Sequence, residues 1–380
     1  MTDFTFIDLF AGIGGMRIAF EDLGGECVFS SEIDPSACQV YKDYFGEDPY
    51  FDITKIKPKR DLNFDFDILL AGFPCQAFSM AGDREGFNVP KGQLFNYIDL
   101  ILREKGKHRP KAFLLENVKG LVSHDKGRTL DFILGQLKNA GYIVPEPQVL
   151  NAIDYNVPQK RERVYIVGFR DDLGITEDDF SYPEKRPLEC TLKSIIQDDV
   201  RPKYYLSQGY LDCLKNHKTT QRREGRGFGY YVLDPEMDKG SNTLMTGGMG
   251  RERNLIHGTP LADTSSMYGK HTPINSEFIR TLTPCEFSRL QKFPADFRAN
   301  VADTHAYRLF GNSVAIDVVY YVGLEILKTL QSAGQIKSYT ERDASSKKYL
   351  YNRDNEWRML FSPILHYAEC VRCYSCAHPH

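Results

Sequence analysis

The sequence predicts an α/β protein: a doubly wound, mostly parallel sheet covered on both faces by helices, with a second, smaller domain attached. Three observations carry this. Strand-like and helix-like segments alternate through the first 170 residues, as in a parallel sheet with crossover helices. A glycine cluster, Asp8-Leu9-Phe10-Ala11-Gly12-Ile13-Gly14-Gly15, separates the first strand from the first helix. Beyond about residue 185 the chain turns polar and rich in Gly and Arg, with short β-like pieces such as Gly229-Tyr230-Tyr231-Val232-Leu233.

Taken in order, residues 4–10 read as a strand and 16–23 as a helix. Residues 26–33 form the second strand, and 35–44 a helix with Asp34 as its cap and Pro35 at its first position. Residues 66–71 are a strand, 93–104 a helix, 112–115 a strand, and 129–139 a helix ended by Gly141; 164–169 closes the series. Helical pattern returns at 284–293 and 314–330, and a charged tail starts at 335. The expected division is 1–185 completed by 300–332, then 186–299, with 333–380 as an extension.

At 380 residues the chain has room for two domains and a sizeable core. Its 42% hydrophobic and 26% charged residues are ordinary for a globular protein. There is no apolar run long enough to span a membrane and no basic-then-apolar leader. Six of the nine cysteines are scattered without paired spacing, which argues for a reducing compartment and so for the cytoplasm. The net charge of −3 gives no hint of a polyanion partner, but it hides a gradient. Arg201, Lys203, Lys215, Lys218, Arg222, Arg223 and Arg226 face only Asp212 and Glu224 in one stretch that also holds Tyr204, Tyr205 and Tyr210. A phosphate-facing surface has this composition, and so does a solvated face.

Two strand ends carry chemistry. The apolar run Ile68-Leu69-Leu70-Ala71 stops at Gly72, and Phe73-Pro74-Cys75-Gln76 sets a thiol just beyond it, where open α/β sheets bind ligands. Ala112-Phe113-Leu114-Leu115 delivers Glu116-Asn117-Val118 to the same edge. A nucleophile and an acid at neighbouring strand ends make a catalytic pair; a core cysteine and a turn-capping glutamate are the plainer alternatives. The glycine cluster lacks the spacing of a dinucleotide fingerprint and the Lys-Ser/Thr of a phosphate loop. Glu32 can accept from a ribose diol and Asp52 from an adenine amino group. That set fits a nucleoside cofactor without pyrophosphate, S-adenosylmethionine foremost, although a tight structural turn explains the glycines equally well.

Six blocks occur in a telling order: Asp8–Gly15, Pro74-Cys75-Gln76, Glu116-Asn117-Val118, Gln159-Lys160-Arg161-Glu162-Arg163, Arg280-Thr281-Leu282-Thr283-Pro284-Cys285-Glu286 running into Arg289-Leu290-Gln291-Lys292-Phe293-Pro294, and Gly311-Asn312-Ser313-Val314. In these the chain resembles the DNA cytosine-5 methyltransferases of bacterial restriction–modification systems, over about residues 4 to 330. The resemblance implies a Rossmann-like, S-adenosylmethionine-dependent domain and a target-recognition domain between the fourth and fifth blocks. It implies Cys75 as a nucleophile adding to cytosine C6, Glu116 as proton donor at N3, and Arg161 and Arg163 supporting the pyrimidine O2 and the thiolate. Phe10, Gly12, Gly14, Glu32, Ile33, Asp52, Pro74, Leu94 and Asn312 then line the cofactor pocket. Ile33 stands where many members of the family place an aromatic residue.

A base inside a stacked duplex is out of reach, so the target must be flipped out. Residues 77–92, with Gly82, Gly86 and Gly92 as hinges, suit a closing loop that brings Ser79, Arg84 and Phe87 to DNA. In the second domain Arg226, Arg251 and Arg253 are the expected DNA contacts, in loops whose glycines a turn-rich element explains as well. Double-stranded DNA is the expected partner, a companion restriction endonuclease a functional one, and the enzyme is expected to act as a monomer off the membrane. The tail ends with Cys370, Cys373, Cys376 and His378; structural zinc sites usually split their ligands into separated pairs, so no metal is assigned. A transfer-RNA cytosine-5 methyltransferase is one alternative, disfavoured by the long segment between 170 and 280. A non-catalytic DNA-binding relative is another, disfavoured by the presence of Cys75, Glu116 and Arg161.

Overall fold

The structure is a computed structural model that describes residues 3–74, 94–198, 200–223, 230–246, 248–259 and 274–342. Cys75, the loop with Ser79, Arg84 and Phe87, Arg226, and the terminal Cys370, Cys373, Cys376 and His378 lie outside the described residues.

In chain order the elements begin with β1 (Phe4–Leu9), α1 (Gly15–Glu21), β2 (Gly25–Ser31), α2 (Pro35–Phe45), α3 (Pro58–Asp61), β3 (Ile68–Ala71), α4 (Phe95–Glu104) and β4 (Ala112–Val118). There follow α5 (Gly120–Ser123), α6 (Arg128–Asn139), β5 (Tyr142–Ile143), β6 (Gln148–Asn151), β7 (Gln159–Lys160) and β8 (Glu162–Arg170). The remainder is α7 (Leu192–Ile195), α8 (Gln208–Arg223), β9 (Val232–Leu233), β10 (Ser241–Asn242), β11 (Leu255–His257), β12 (Ile279–Thr281), α9 (Pro284–Leu290), α10 (Asp303–Asn312) and α11 (Ile316–Ser332). These elements sort into two compact units. Of the described residues, the first comprises 3–155, Glu162–Arg186 and 314–342, the second Asn156–Arg161 and Pro187–Ser313.

The first unit is built on a seven-stranded sheet in the order β2-β1-β3-β4-β8-β5, with β6 also paired to β8. The four strands β2, β1, β3 and β4 are parallel, and β8 runs antiparallel to β4, β5 and β6. Both faces are covered because strand side chains alternate. Phe4 and Phe6 meet Phe20 of α1 at ring distances of 6.3 and 5.7 Å. Ile7 and Leu9, one residue out of phase, enter a core with Ile98 and Ile101 of α4 and Ile133 and Leu137 of α6. On the first face α11 comes close enough that a Cβ on Gly323 would stand 2.9 Å from Leu23 and Phe20. Local signals act as expected at α2: Asp34 accepts from the amides of Ser36 and Ala37, Pro35 opens the helix, and Gly46 closes it at φ 75°.

Within the second unit β12-β11-β9 form a small sheet, and β10 pairs with β7. Arg280 and Glu286 make an ion pair with both side chains at 0% exposure, two bonds of 2.8 Å joining guanidinium and carboxylate. Glu286 also accepts from the amide of Thr283, whose hydroxyl caps α9 in return.

Four features depart from the sequence-based expectation. The strand at 164–169 is longer and antiparallel. The short strands β5 and β6 precede it. The polar stretch after 186 holds the 16-residue helix α8, whose buried Leu211 and Leu214 are too few to mark a helical stripe. Finally, α10 and residues 300–313 cluster with the second unit, while 333–342 cluster with the first. Phe287–Tyr307 and Phe293–Phe310 ring contacts at 4.9 and 5.4 Å hold α10 to its neighbours. Arg342 pairs with Asp317 and Asp22 and so ties the later segment to α11 and the end of α1. No helix among the described residues is long and apolar enough to cross a membrane.

Candidate active site

The strand order places β2 and β3 on opposite sides of β1, so a crevice opens at the carboxyl ends of these strands. Beyond Leu9 the backbone passes through positive φ at Phe10 (56°), Gly12 (56°) and Gly14 (81°) before α1 begins. A Cβ on Gly14 would lie 2.3 Å from the Phe45 ring, so only glycine fits there. Gly12 donates its amide to Glu32 Oε2 at 2.8 Å, and Glu32 Oε1 accepts from the amides of Ile33 and Asp34 at 2.7 and 2.8 Å. The Glu32 carboxylate is therefore held in place by three backbone donors. Ile33 beside it is 59% exposed.

The backbone of Glu32 bridges to Pro49 and Phe51, which carries the chain to Asp52. Asp52 caps a short turn, accepting from the Thr54 amide at 3.0 Å and the Thr54 hydroxyl at 2.7 Å. The hydroxyl bond holds the Asp52 carboxyl below the usual range, against a smaller opposing effect of burial. Phe10 and Leu94 both pack on the core cluster of this unit. A carboxylate fixed at a sheet edge, beside a glycine turn with nothing within 4 Å of where a Gly12 Cβ would stand, suits a ribose and its base. The residues present fit a nucleoside cofactor.

Asp8 sits under this turn. It shares the face of Phe4 and Phe6, is 1% exposed, and its Oδ2 finds no hydrogen-bond partner among the described residues. Burial pushes its carboxyl up to about 7, opposed by the Arg17 charge and the Arg17 backbone amide.

At the next strand ends, Gly72, Phe73 and Pro74 follow β3, with Phe73 buried and Pro74 exposed. Asn117, at 2% exposure, donates Nδ2 to the Phe73 carbonyl at 2.9 Å and accepts from the Val118 amide at 2.8 Å. Glu116 is buried, and Arg163 Nε lies 3.1 Å from its Oε1. Register explains this pair. Val118 stands opposite Arg163 and Glu116 opposite Tyr165, so Glu116 and Arg163 are diagonal neighbours on one face. Because β8 is antiparallel, its first residues lie where β4 ends.

Arg161 and Asn312 belong to the second unit. Arg161 is 2% exposed, and its Nη2 donates to the carbonyls of Gly311 (3.1 Å) and Ser313. Asn312 is exposed between those two carbonyls. Of the two described recognition arginines, Arg251 lies over the Tyr307 ring at 5.0 Å, and Arg253 is exposed. The structure thus brings Glu116 and Arg163 together, gathers Phe10, Gly12, Gly14 and Glu32 around one turn, and leaves Ile33 exposed at its side. Asn117 and Asp8 stand within the motifs, and the sequence alone assigns them no role; their signals are an Asn directly after the acid of a strand end and a lone Asp inside an apolar strand.

The model of the C-5 cytosine-specific DNA methylase family matches residues 4–328. The chain is 49% identical over 329 residues to the Type II methyltransferase M.HpaII of Haemophilus parainfluenzae, covering 86% of this chain and 90% of that one. It is 41% identical to the Type II methyltransferase M.DsaV of Dactylococcopsis salina, covering 92% and 94%. Among solved structures, the methyltransferase EhMeth of Entamoeba histolytica matches with a TM-score of 0.66 at 16% identity, covering 87% of this chain and 99% of that one. The Dnmt2 methyltransferase of S. pombe matches with 0.65 at 21% identity, covering 87% and 98%. At these identities the structural likeness speaks for the fold alone.

Proposed function

This chain belongs to the C-5 cytosine-specific DNA methylase family and is a DNA (cytosine-5-)-methyltransferase of the bacterial restriction–modification type; from that premise we propose how its residues act. The proposed substrate is a cytosine flipped out of a short specific duplex sequence, and the cofactor is S-adenosylmethionine. Glu32 holds the ribose, Asp52 the adenine amino group, and Phe10, Gly12, Gly14, Ile33, Pro74 and Leu94 form the surrounding wall. When bound, S-adenosylmethionine supplies an activated methyl group.

Cytosine C5 is a poor nucleophile. Addition of the Cys75 thiolate to C6 makes C5 an enamine carbon, and a proton shared with N3 by Glu116 offsets the charge that builds on the ring. Arg163 fixes the Glu116 carboxyl at the strand end. Once C5 carries the transferred methyl group, loss of the C5 proton and expulsion of Cys75 restore the aromatic ring. Ser79, Arg84, Arg226 and Arg253 are proposed to meet the DNA. The enzyme acts as a monomer in the cytoplasm, beside a restriction endonuclease of the same site.

The observation that carries this reading is the Glu116–Arg163 pair at the sheet edge, next to the Phe73 carbonyl that Asn117 holds. The test incubates the protein with S-adenosylmethionine and unmethylated genomic DNA and maps 5-methylcytosine by sequencing, with Cys75→Ala alongside. Methylation at one short motif, absent from Cys75→Ala, is expected. Label appearing in transfer RNA instead of DNA would overturn the substrate, and methylation by Cys75→Ala would overturn the covalent step.

A further inference from the structure

We propose that Gln159 and Arg161 are positioning residues for target selection, setting the exposed residues 245 and 246 that lead into the arginine-bearing turn Gly248–Asn254. The inference rests on duplex DNA being the substrate, and every contact it uses lies within the second unit. In an extended chain, side chains two residues apart share a side. Gln159 and Arg161 point inward and are buried, while Lys160 between them is exposed.

Gln159, at 0% exposure, is a two-ended tie. Its Nε2 donates to the Leu290 carbonyl at 3.4 Å, and its Oε1 accepts from the Leu244 amide at 3.3 Å. The backbone adds to this grip. Ser241 and Asn242 pair in parallel with Gln159 and Lys160, and the Thr243 hydroxyl donates to the Lys160 carbonyl at 2.6 Å. Residues 241–244 are thus held along their length by one short strand.

Arg161 fixes the floor beneath the next two residues. Its guanidinium reaches the carbonyls of Gly311 and Ser313, where α10 ends with unsatisfied acceptors and a cation is favoured. A Cβ on Gly311 would stand 3.0 Å from Thr246 Cγ2 and 3.1 Å from the Met245 carbonyl carbon, so residues 245 and 246 rest directly on Gly311. What emerges from this seat faces outward: Met245 is 43% exposed and Thr246 is exposed. A thioether and a hydroxyl are suited to the methyl and polar edges of bases in a groove. The far end of the turn is locked too, since Asn254 Oδ1 accepts from the Asn242 amide at 2.8 Å. Buried under this seat, Arg161 acts through residues 311–313 and 245–246 rather than on the pyrimidine.

The test compares kcat/KM on a duplex carrying the enzyme's mapped site with duplexes carrying single-base changes. The variants are Arg161→Lys, Gln159→Ala and Gln159→Glu, with S-adenosylmethionine affinity and Tm measured on each. For Arg161→Lys and Gln159→Ala the preference for the true site is expected to fall about tenfold, comparable to the cost of one mismatched pair, with cofactor affinity unchanged. Gln159→Glu keeps the acceptor for Leu244 but turns a carboxylate toward the Leu290 carbonyl, so its preference is expected to fall as for Gln159→Ala. Arg161→Lys serves where either Gln159 variant fails to fold. An unchanged preference would overturn the inference, whether the rate falls equally on every duplex, as for a group in the chemistry, or only Tm falls, as for a structural tie. A wild-type enzyme inactive on every duplex would instead remove the premise.

Discussion

Asn117 Nδ2 and the Phe73 carbonyl, 44 residues apart in sequence, are 2.9 Å apart, and this bond joins the end of β4 to the segment that leads into Pro74 and Cys75. Asn117→Ala leaves the buried Phe73 C=O without this donor, and the amide of the more exposed Val118 without its side-chain acceptor. It is expected to lower stability by about 1–3 kcal/mol. The single-turnover methylation rate should fall further than that loss alone explains, because the strand-end geometry loosens. Denaturant unfolding and single-turnover methylation, compared on the same variant, check both.

Glu116 and Arg163 form the next pair. Glu116→Gln keeps the shape and removes the acid, so methylation is expected to slow roughly 10²–10⁴-fold, with DNA and cofactor affinity retained. Arg163→Lys replaces a planar donor by a point charge and should reproduce part of that loss. Rates equal to the unaltered enzyme in both variants would remove Glu116 from the chemistry.

Gly12 and Gly14 separate two kinds of glycine requirement. Gly12→Ala meets open space and only the strain of φ 56°, about 1–2 kcal/mol. Gly14→Ala adds a collision with Phe45 and is expected to cost more and to weaken S-adenosylmethionine binding. Calorimetric titration of the two variants should rank them in that order.

Asp8 predicts a pH dependence of stability. Its folded-state carboxyl is raised to about 7 by burial, against 3.8 ordinarily. Below about pH 4 it is protonated in both folded and unfolded chains, and its contribution is present in full. As pH rises through 7 the unfolded chain ionises first, and stability on the order of 4 kcal/mol is lost. Asp8→Asn should flatten this part of the profile and leave the protein relatively more stable above pH 7. Unfolding midpoints between pH 4 and 8 test it, and parallel profiles for the two proteins would exclude the assignment.

Arg251 and Arg253 should differ. Arg253 is exposed, so Arg253→Ala is expected to weaken DNA binding and, if it meets a phosphate, to reduce the salt slope by about one. Arg251 spends its guanidinium on the Tyr307 ring, so Arg251→Ala should also lower Tm.

By itself the sequence determined the alternation of strands and helices in the first 170 residues, the strand end at Ala71 and the cap at Asp34; it ended the first strand one residue late, at 10 rather than Leu9, and the fourth three residues early, at 115 rather than Val118. The features it determined are legible because periodicity, capping and turn formation depend on residues a few positions apart. The tertiary structure alone decided that β8 runs antiparallel and so brings the first residues of that strand to Glu116. It also decided that Arg161 binds the turn at Gly311 and Ser313 while Arg163, two residues on, binds the acid, and that Asn117 holds Phe73. Those outcomes depend on register and direction between segments tens to more than a hundred residues apart. Alternation within a strand is the same whichever way the strand runs, and a buried side chain's partner is chosen by what the rest of the chain packs against it.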